Sequence, residues 1–172
     1  MKDDKFKWIT EAMALHERAL VGYVHGFTGS EDQARDIVQD AFIKLCQKSE
    51  DDFDGGLKAW LYKVCRNGAL QLLRKGNRMT ELTQETMNKQ SEQSPSPDVA
   101  TEKKDQYRHM MSLIGNLPQK QQEVIRLKYN HQLSYKEISE VAGLTVTNVG
   151  MLLHTGLQNL KMQMSQLQEV AR

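Results

Sequence analysis

The 172-residue sequence lacks a net charge of any size: 23 Lys and Arg stand against 22 Asp and Glu, a formal +1. That excludes a polycation, because long-range attraction follows the summed charge, so any hold on nucleic acid has to come from local patches. Cysteine is scarce. Cys46 and Cys65 allow one disulfide at most and make no CxxC pair, which fits a reduced cytoplasmic setting. The first residues, Met1-Lys-Asp-Asp-Lys5, hold acidic groups and no apolar run, so a secretory signal is not expected. Val141 to Leu160 runs twenty residues without a charged side chain. Its Thr145, Thr147, Asn148, His154, Thr155, Gln158 and Asn159 are too costly for hydrocarbon, which argues against direct membrane insertion.

Signatures of catalysis are missing as well. The histidines (His16, His25, His109, His131, His154) form no H-x3-H pair, so no zinc site is expected. There is no Gly-rich phosphate loop and no nucleophile elbow. The acidic run Glu50 to Asp54 lacks the alternating ligands and closing glutamate of a calcium loop and reads as solvated. The chain is therefore expected to be no enzyme, with no metal and no cofactor.

What is present is helical. With 39% hydrophobic and 26% charged residues, the composition is that of a soluble globular chain. Between Thr80 and Lys104 only Leu82, Met87, Val99 and Ala100 are apolar, and Ser94-Pro-Ser-Pro97 cannot continue a helix. The expected fold is all-α: two small helical domains, 4–78 and 105–165, joined by a flexible linker over 79–104. In the first arm Ile9, Met13, His16, Leu20, Tyr23, Val24 and Phe27 recur at helical spacing up to Thr28-Gly29. Ser30-x-x-Gln33 is a capping box for a second helix with Ala34, Ile37, Val38, Ala41, Phe42 and Leu45 inward. A third helix runs from Leu57 to about Lys75, and three amphipathic helices make a small bundle. In the second arm Leu117-Pro118 separates two helices. Ser134-x-x-Glu137, Gly143-Leu144 and Thr145 then mark a short helix, a turn and a last helix, the pattern of a helix-turn-helix or of a plain helical hairpin.

Charge is distributed unevenly along these elements. From Ala59 to Thr80 there is no Asp or Glu, while Lys63, Arg66, Arg74, Lys75 and Arg78 are cationic. At about 100° per residue, Lys63, Arg66, Asn67, Leu70 and Arg74 share one face and Leu57, Leu61, Val64, Cys65, Gly68 and Leu72 the opposite one. Trp60, with Phe53 and Tyr62 nearby, adds aromatic faces. Two readings fit: a solvated face over a core tryptophan, or a surface for phosphates and unpaired bases. The second helix turns Arg35, Asp36, Gln39, Asp40 and Lys44 outward, a mixed-sign face suited to water or to a protein.

Three segments carry a resemblance: Ala34-Arg-Asp-Ile-Val-Gln-Asp-Ala-Phe-Ile-Lys-Leu45, Ala59-Trp-Leu-Tyr-Lys-Val-Cys-Arg-Asn67, and Leu117-Pro-Gln-Lys-Gln-Gln-Glu-Val-Ile-Arg-Leu-Lys-Tyr129 with Leu133-Ser-Tyr-Lys-Glu-Ile-Ser139. Together they resemble bacterial RNA polymerase sigma factors of the sigma-70 family, extracytoplasmic-function (ECF) type, which keep only regions two and four. The resemblance implies a factor that binds core RNA polymerase, directs it to specific promoters and assists their opening. Its partners would be core polymerase, promoter DNA and an anti-sigma factor. It implies core binding through Asp36, Gln39, Asp40 and Lys44. It also implies minus ten recognition through Phe53, Trp60, Lys63, Arg66, Asn67, Arg74, Lys75 and Arg78, with bases of the opened strand stacked on aromatics. Region four would read the minus thirty-five element through Lys136, Thr147, Asn148, Met151 and His154.

One departure stands out. Where the family's recognition helix usually carries Lys and Arg, this chain has Gly150, Met151, Leu152, Thr155 and Leu157, and no basic residue occurs from Ile138 to Leu160. Val149, Leu153, Leu157 and Leu160 are expected to pack inward, with Thr147, Asn148, Gly150, Met151, His154 and Thr155 outside. Phosphate contacts would fall to Lys120, Arg126, Lys128 and Lys136. The alternative is a sigma-like protein-binding module whose region four binds a regulator in place of the minus thirty-five element.

Overall fold

The structure, a computed structural model, describes residues 2–53, 56–82 and 102–170, with side chains described over 6–53, 56–77 and 105–166. Most of the expected linker, 83–101, lies outside the described residues. Helices α1 (Lys2–Thr28), α2 (Glu31–Leu45) and α3 (Leu57–Leu82) come first, with a 3-10 turn at Glu50–Phe53. Then follow α4 (Glu102–Gly115), α5 (Gln119–Ile125) continued by a π-helical turn at Arg126–Asn130, α6 (Tyr135–Ala142) and α7 (Val146–Val170). No strand occurs among the described residues, and the chain divides into two compact units, the first built on α1 to α3. α3 runs past the Lys75 end that periodicity suggests: Gly76 weakens the helix without stopping it, and no proline follows before Leu82.

In the first unit all three helices pack on one another. Leu20 and Val24 of α1, Ala34, Val38 and Leu45 of α2, and Leu61, Cys65 and Ala69 of α3 are essentially withdrawn from water. Each large apolar side chain buried in this way contributes about 1.5–3 kcal/mol, against a few tenths for a surface ion pair, so the apolar stripes decide how each helix is rotated. α1 ends at Gly29, whose φ of 65° suits a residue without Cβ. Ser30 caps α2, accepting the Gln33 N–H at 3.4 Å, while the Ser30 N–H donates to Thr28 Oγ1 at 3.3 Å. Gly68 of α3 lies where a Cβ would stand 3.0 Å from Ile37 Cγ2, so its lack of side chain sets the close α2–α3 approach. Two core positions differ from expectation. Ala12 is buried and Met13 is 37% exposed, since the small side chain suits a crowded helix crossing and the flexible thioether can lie at its rim. Cys46 and Cys65 are free thiols; burial pushes Cys65 up to about 12 and keeps it protonated.

The second unit is built on capped short helices. The Ser134 box is reciprocal: the Ser134 N–H donates to Glu137 Oε2 at 2.7 Å and the Glu137 N–H to Ser134 Oγ at 3.2 Å. Gly143 turns the chain with φ 67°, and Thr145 caps α7 by accepting the Asn148 N–H at 3.1 Å. Gln122 Nε2 donates to the carbonyls of Gly115 (3.0 Å) and Leu117 (2.7 Å), satisfying the frayed end of α4. The α7 stripe departs from expectation. Val149, Leu153, Gly156 and Leu160 face inward, and Leu157 is 41% exposed. The spacing of four, three and four selects Gly156, and a Cβ there would meet Ile125 Cδ1 at 2.8 Å, so α7 lies too close to α5 for a leucine. Gly150, expected outside, is partly covered by the Tyr135 ring, which a Cβ at 150 would approach to 3.7 Å.

Two outcomes follow from this packing. Gly156→Leu should destabilise the second unit by about 1–3 kcal/mol, read as an earlier unfolding transition in denaturant, with Gly156→Ala much milder because only the flexible end of Ile125 must move. His16 is half-buried near Lys58, and burial first, then the lysine charge, hold its pKa below 6.5. The folded state thus resists protonation. Stability from this site is complete above about pH 6.5 and falls as the pH drops toward the lowered folded value. Thermal midpoints from pH 7.5 to 5 should fall more steeply for the native chain than for His16→Gln.

Candidate nucleic-acid and partner surfaces

α3 is held by its apolar stripe, so its remaining face is available. Lys63, Asn67, Arg74 and Lys75 are exposed and Arg66 is half-buried; the side chain of Arg78 lies outside the described residues. With no carboxylate on α3 until Glu81, the positive charge of this face is not neutralised within the helix. The 3-10 turn sits beside it. Ser49 and Asp52 close that turn, the Ser49 N–H donating to Asp52 Oδ2 at 2.8 Å and the Asp52 N–H to the Ser49 carbonyl at 3.1 Å. Phe53 at its end meets Trp60 edge to face, with centroids 5.2 Å apart at 64°, and both rings are half-buried.

Tyr62 has to be withdrawn as a stacking surface. It is 1% exposed, with its ring 5.1 Å from that of Tyr23 on α1, and burial drives its hydroxyl well above the usual range. Trp8 of α1, which sequence reasoning missed, lies 6.2 Å from Phe53. Its position one turn before the buried Ala12 was the available signal.

On α2 the structure places Asp36, Gln39, Asp40 and Lys44 together on one exposed face, while Arg35 is drawn to Glu31 at 2.6 Å on the surface. In the second unit Lys136, Thr147, Asn148, Met151 and His154 are all exposed, Met151 at 61%. Thr155 does not point freely: its Oγ1 donates back to the Met151 carbonyl at 2.9 Å and accepts from Gln121 Nε2 at 3.3 Å. Asn159 Nδ2 donates to Gln121 Oε1 at 3.1 Å, so a neutral amide network helps hold α7 on α5. Of the expected phosphate ligands, Lys120 and Lys136 are exposed and Arg126 is half-buried. Lys128 is engaged: its ammonium donates to the Leu133 carbonyl at 3.4 Å and lies 5.4 Å from the Tyr135 ring centre. Among the described residues no group of His, Cys, Asp and Glu could hold a metal ion, and no helix is long and apolar enough to cross a membrane.

Two family models match the chain, Sigma-70 region 2 over residues 13–79 and Sigma-70 region 4 over 108–160. The ECF RNA polymerase sigma factor SigW of Bacillus subtilis is 30% identical over 149 residues, covering 81% of this chain and 79% of that relative. The ECF sigma factor SigE of Mycolicibacterium smegmatis is 22% identical over 152 residues, 88% of this chain but 59% of the longer relative. Among solved structures, the sigma factor RpoE of Bartonella quintana, crystallised with the anti-sigma factor NepR, superposes with a TM-score of 0.71 at 22% identity. That match covers 92% of this chain and 98% of RpoE, and shows a shared fold. Taken with the two regions in their order along the chain, these matches establish that the chain belongs to the ECF group of the sigma-70 family and is a non-enzymatic sigma factor of transcription initiation.

Proposed function

We propose that this sigma factor works in the cytoplasm, binding core RNA polymerase through the exposed α2 face of Asp36, Gln39, Asp40 and Lys44. The α3 face then engages the minus ten element. Lys63, Arg66, Arg74, Lys75 and Arg78 meet phosphates, Asn67 reaches a base edge, and an unpaired base stacks at Phe53 and Trp60. The observation that carries this reading is the coincidence, on one side of α3, of a row of cations on a helix with no carboxylate before Glu81 and the half-buried Phe53–Trp60 pair. A solvated helix has no need of both.

In the second unit α7 presents Thr147, Asn148, Met151 and His154 to the minus thirty-five element, with Lys136 outside the helix as an anchor. The two units, and the chain between them, match a division of labour in which each contact is weak and the tether raises the effective concentration of the other. By analogy with RpoE, an anti-sigma factor is a further partner. The part of α7 up to Leu160, which has no charged side chain and leaves Met151 and Leu157 exposed, also favours a second reading in which this unit binds a regulator and reads little DNA.

Run-off transcription with purified core polymerase on a promoter library separates these readings. Transcripts selected at both elements support the full proposal, minus ten selection alone supports the second reading, and no core binding overturns both. Within that assay Asp40→Ala should weaken core affinity about tenfold. Asn67→Ala and Arg74→Ala should leave core affinity within about twofold yet slow promoter opening about tenfold, the scale of one lost base or phosphate contact. Arg74→Ala should also lower the salt slope of DNA binding by about one.

A further inference from the structure

Trp8 lies ahead of the region 2 match, which begins at residue 13. It and Trp60 are the only tryptophans of the chain, and they approach the same phenylalanine from different helices. Trp8 reaches Phe53 from α1, with centroids 6.2 Å apart at 52°; Trp60 reaches it from α3, at 5.2 Å and 64°. The backbone also ties the turn to α3, since the Gly56 N–H donates to the Phe53 carbonyl at 2.6 Å and the Trp60 N–H to the Gly56 carbonyl at 3.0 Å. Against α1 the turn is held by the Trp8 ring contact.

The tilt of the rings limits how a base can bind. Inserting a base between two aromatics needs parallel planes about 7 Å apart, twice the ~3.4 Å stacking distance of nucleic acid. Rings inclined at 52° and 64° with centroids 5.2–6.2 Å apart leave no such slot. A base can only lie on an outward face of the Phe53–Trp60 pair, and the orientation of that face depends on what backs Phe53. We infer that Trp8 is a positioning residue: it fixes the Phe53 ring against α1 so that the Phe53–Trp60 pair keeps a face turned to an unpaired base. This rests on the reading that Phe53 and Trp60 capture a base. Because the three rings already touch in the free chain, the site is preorganised, and little ordering remains to be done when the strand opens.

The test uses holoenzyme reconstituted with full-length variants and a promoter obtained from the run-off library. Affinity is measured for that promoter with its minus ten segment unpaired on one strand and, separately, fully paired, at a temperature well below each variant's unfolding midpoint. Trp8→Ala should lose about tenfold on the unpaired DNA, the scale of one aromatic contact, with core affinity and paired-DNA affinity within about twofold. Trp8→Phe, which restores a ring, should recover most of the loss. Unchanged affinity of Trp8→Ala for unpaired DNA overturns the inference. So does an equal loss of core affinity without rescue by Trp8→Phe, which would mark Trp8 as a general fold residue. Phe53→Ala and Trp60→Ala separate the two levels. If they keep unpaired-DNA affinity, base capture itself is wrong; if they lose it while Trp8→Ala does not, base capture stands and only the role of Trp8 falls.

Discussion

Burial of the apolar stripe of α3 against α1 and α2 is the constraint from which the rest of the first unit follows. Leu61, Cys65 and Ala69 are wholly withdrawn from water, and with them the rotation of the helix is set. Lys63, Asn67, Arg74 and Lys75 are then left outward by geometry alone. Gly68 tightens the arrangement by letting Ile37 sit on the α3 backbone, which brings α2 close without disturbing its own mixed-charge face. Two different surfaces, one cationic and one of mixed sign, thereby come from one small core. The chemistry they suit differs for the same reason: phosphates favour a face with no competing carboxylate, whereas a protein partner can answer charges of both signs.

The second unit solves its packing with little charge. α7 is started by Thr145, brought close to α5 by Gly156 and held there by the Gln121, Thr155 and Asn159 amides and hydroxyl. Lys128, which could have served a phosphate, is instead turned onto Tyr135 and the Leu133 carbonyl, where it steadies the loop before α6. Of the four cations expected to anchor this unit on DNA, only Lys120 and Lys136 are fully exposed. The exposed Thr147, Asn148 and Met151 are uncharged side chains of a kind that can discriminate bases, but such side chains supply none of the counterion release that dominates affinity for duplex DNA. The near-zero net charge of the whole chain acts in the same direction, giving little long-range attraction for duplex DNA.

Much of this was legible in the sequence, because it depends on local rules. The capping boxes at Ser30 and Ser134, the Gly143 turn and the outward face of α2 all follow from spacing within one helix or its ends. The departures come from contacts between helices. Tyr62 looks like a neighbour of Trp60 along the chain, but its ring is taken by Tyr23 of α1. Leucine is a better core residue than glycine by composition, yet at 156 and 157 the glycine is inside because the helices lie too close for anything larger. Trp8 escaped notice because Phe53, more than forty positions away, is brought to it only by the fold. Residue type and periodicity cannot carry information of that range.

With so few of the expected anchoring cations exposed on the second unit and a net charge near zero, we propose that this chain reads promoters only when core polymerase holds it on the DNA. The most direct measurement compares the free chain with the reconstituted holoenzyme on the same duplex promoter and on a scrambled duplex, at about 0.15 M salt. The free chain should bind weakly and without preference between the two duplexes, and the holoenzyme should show clear promoter preference. A free chain that selects the promoter with affinity close to that of the holoenzyme would contradict the proposal.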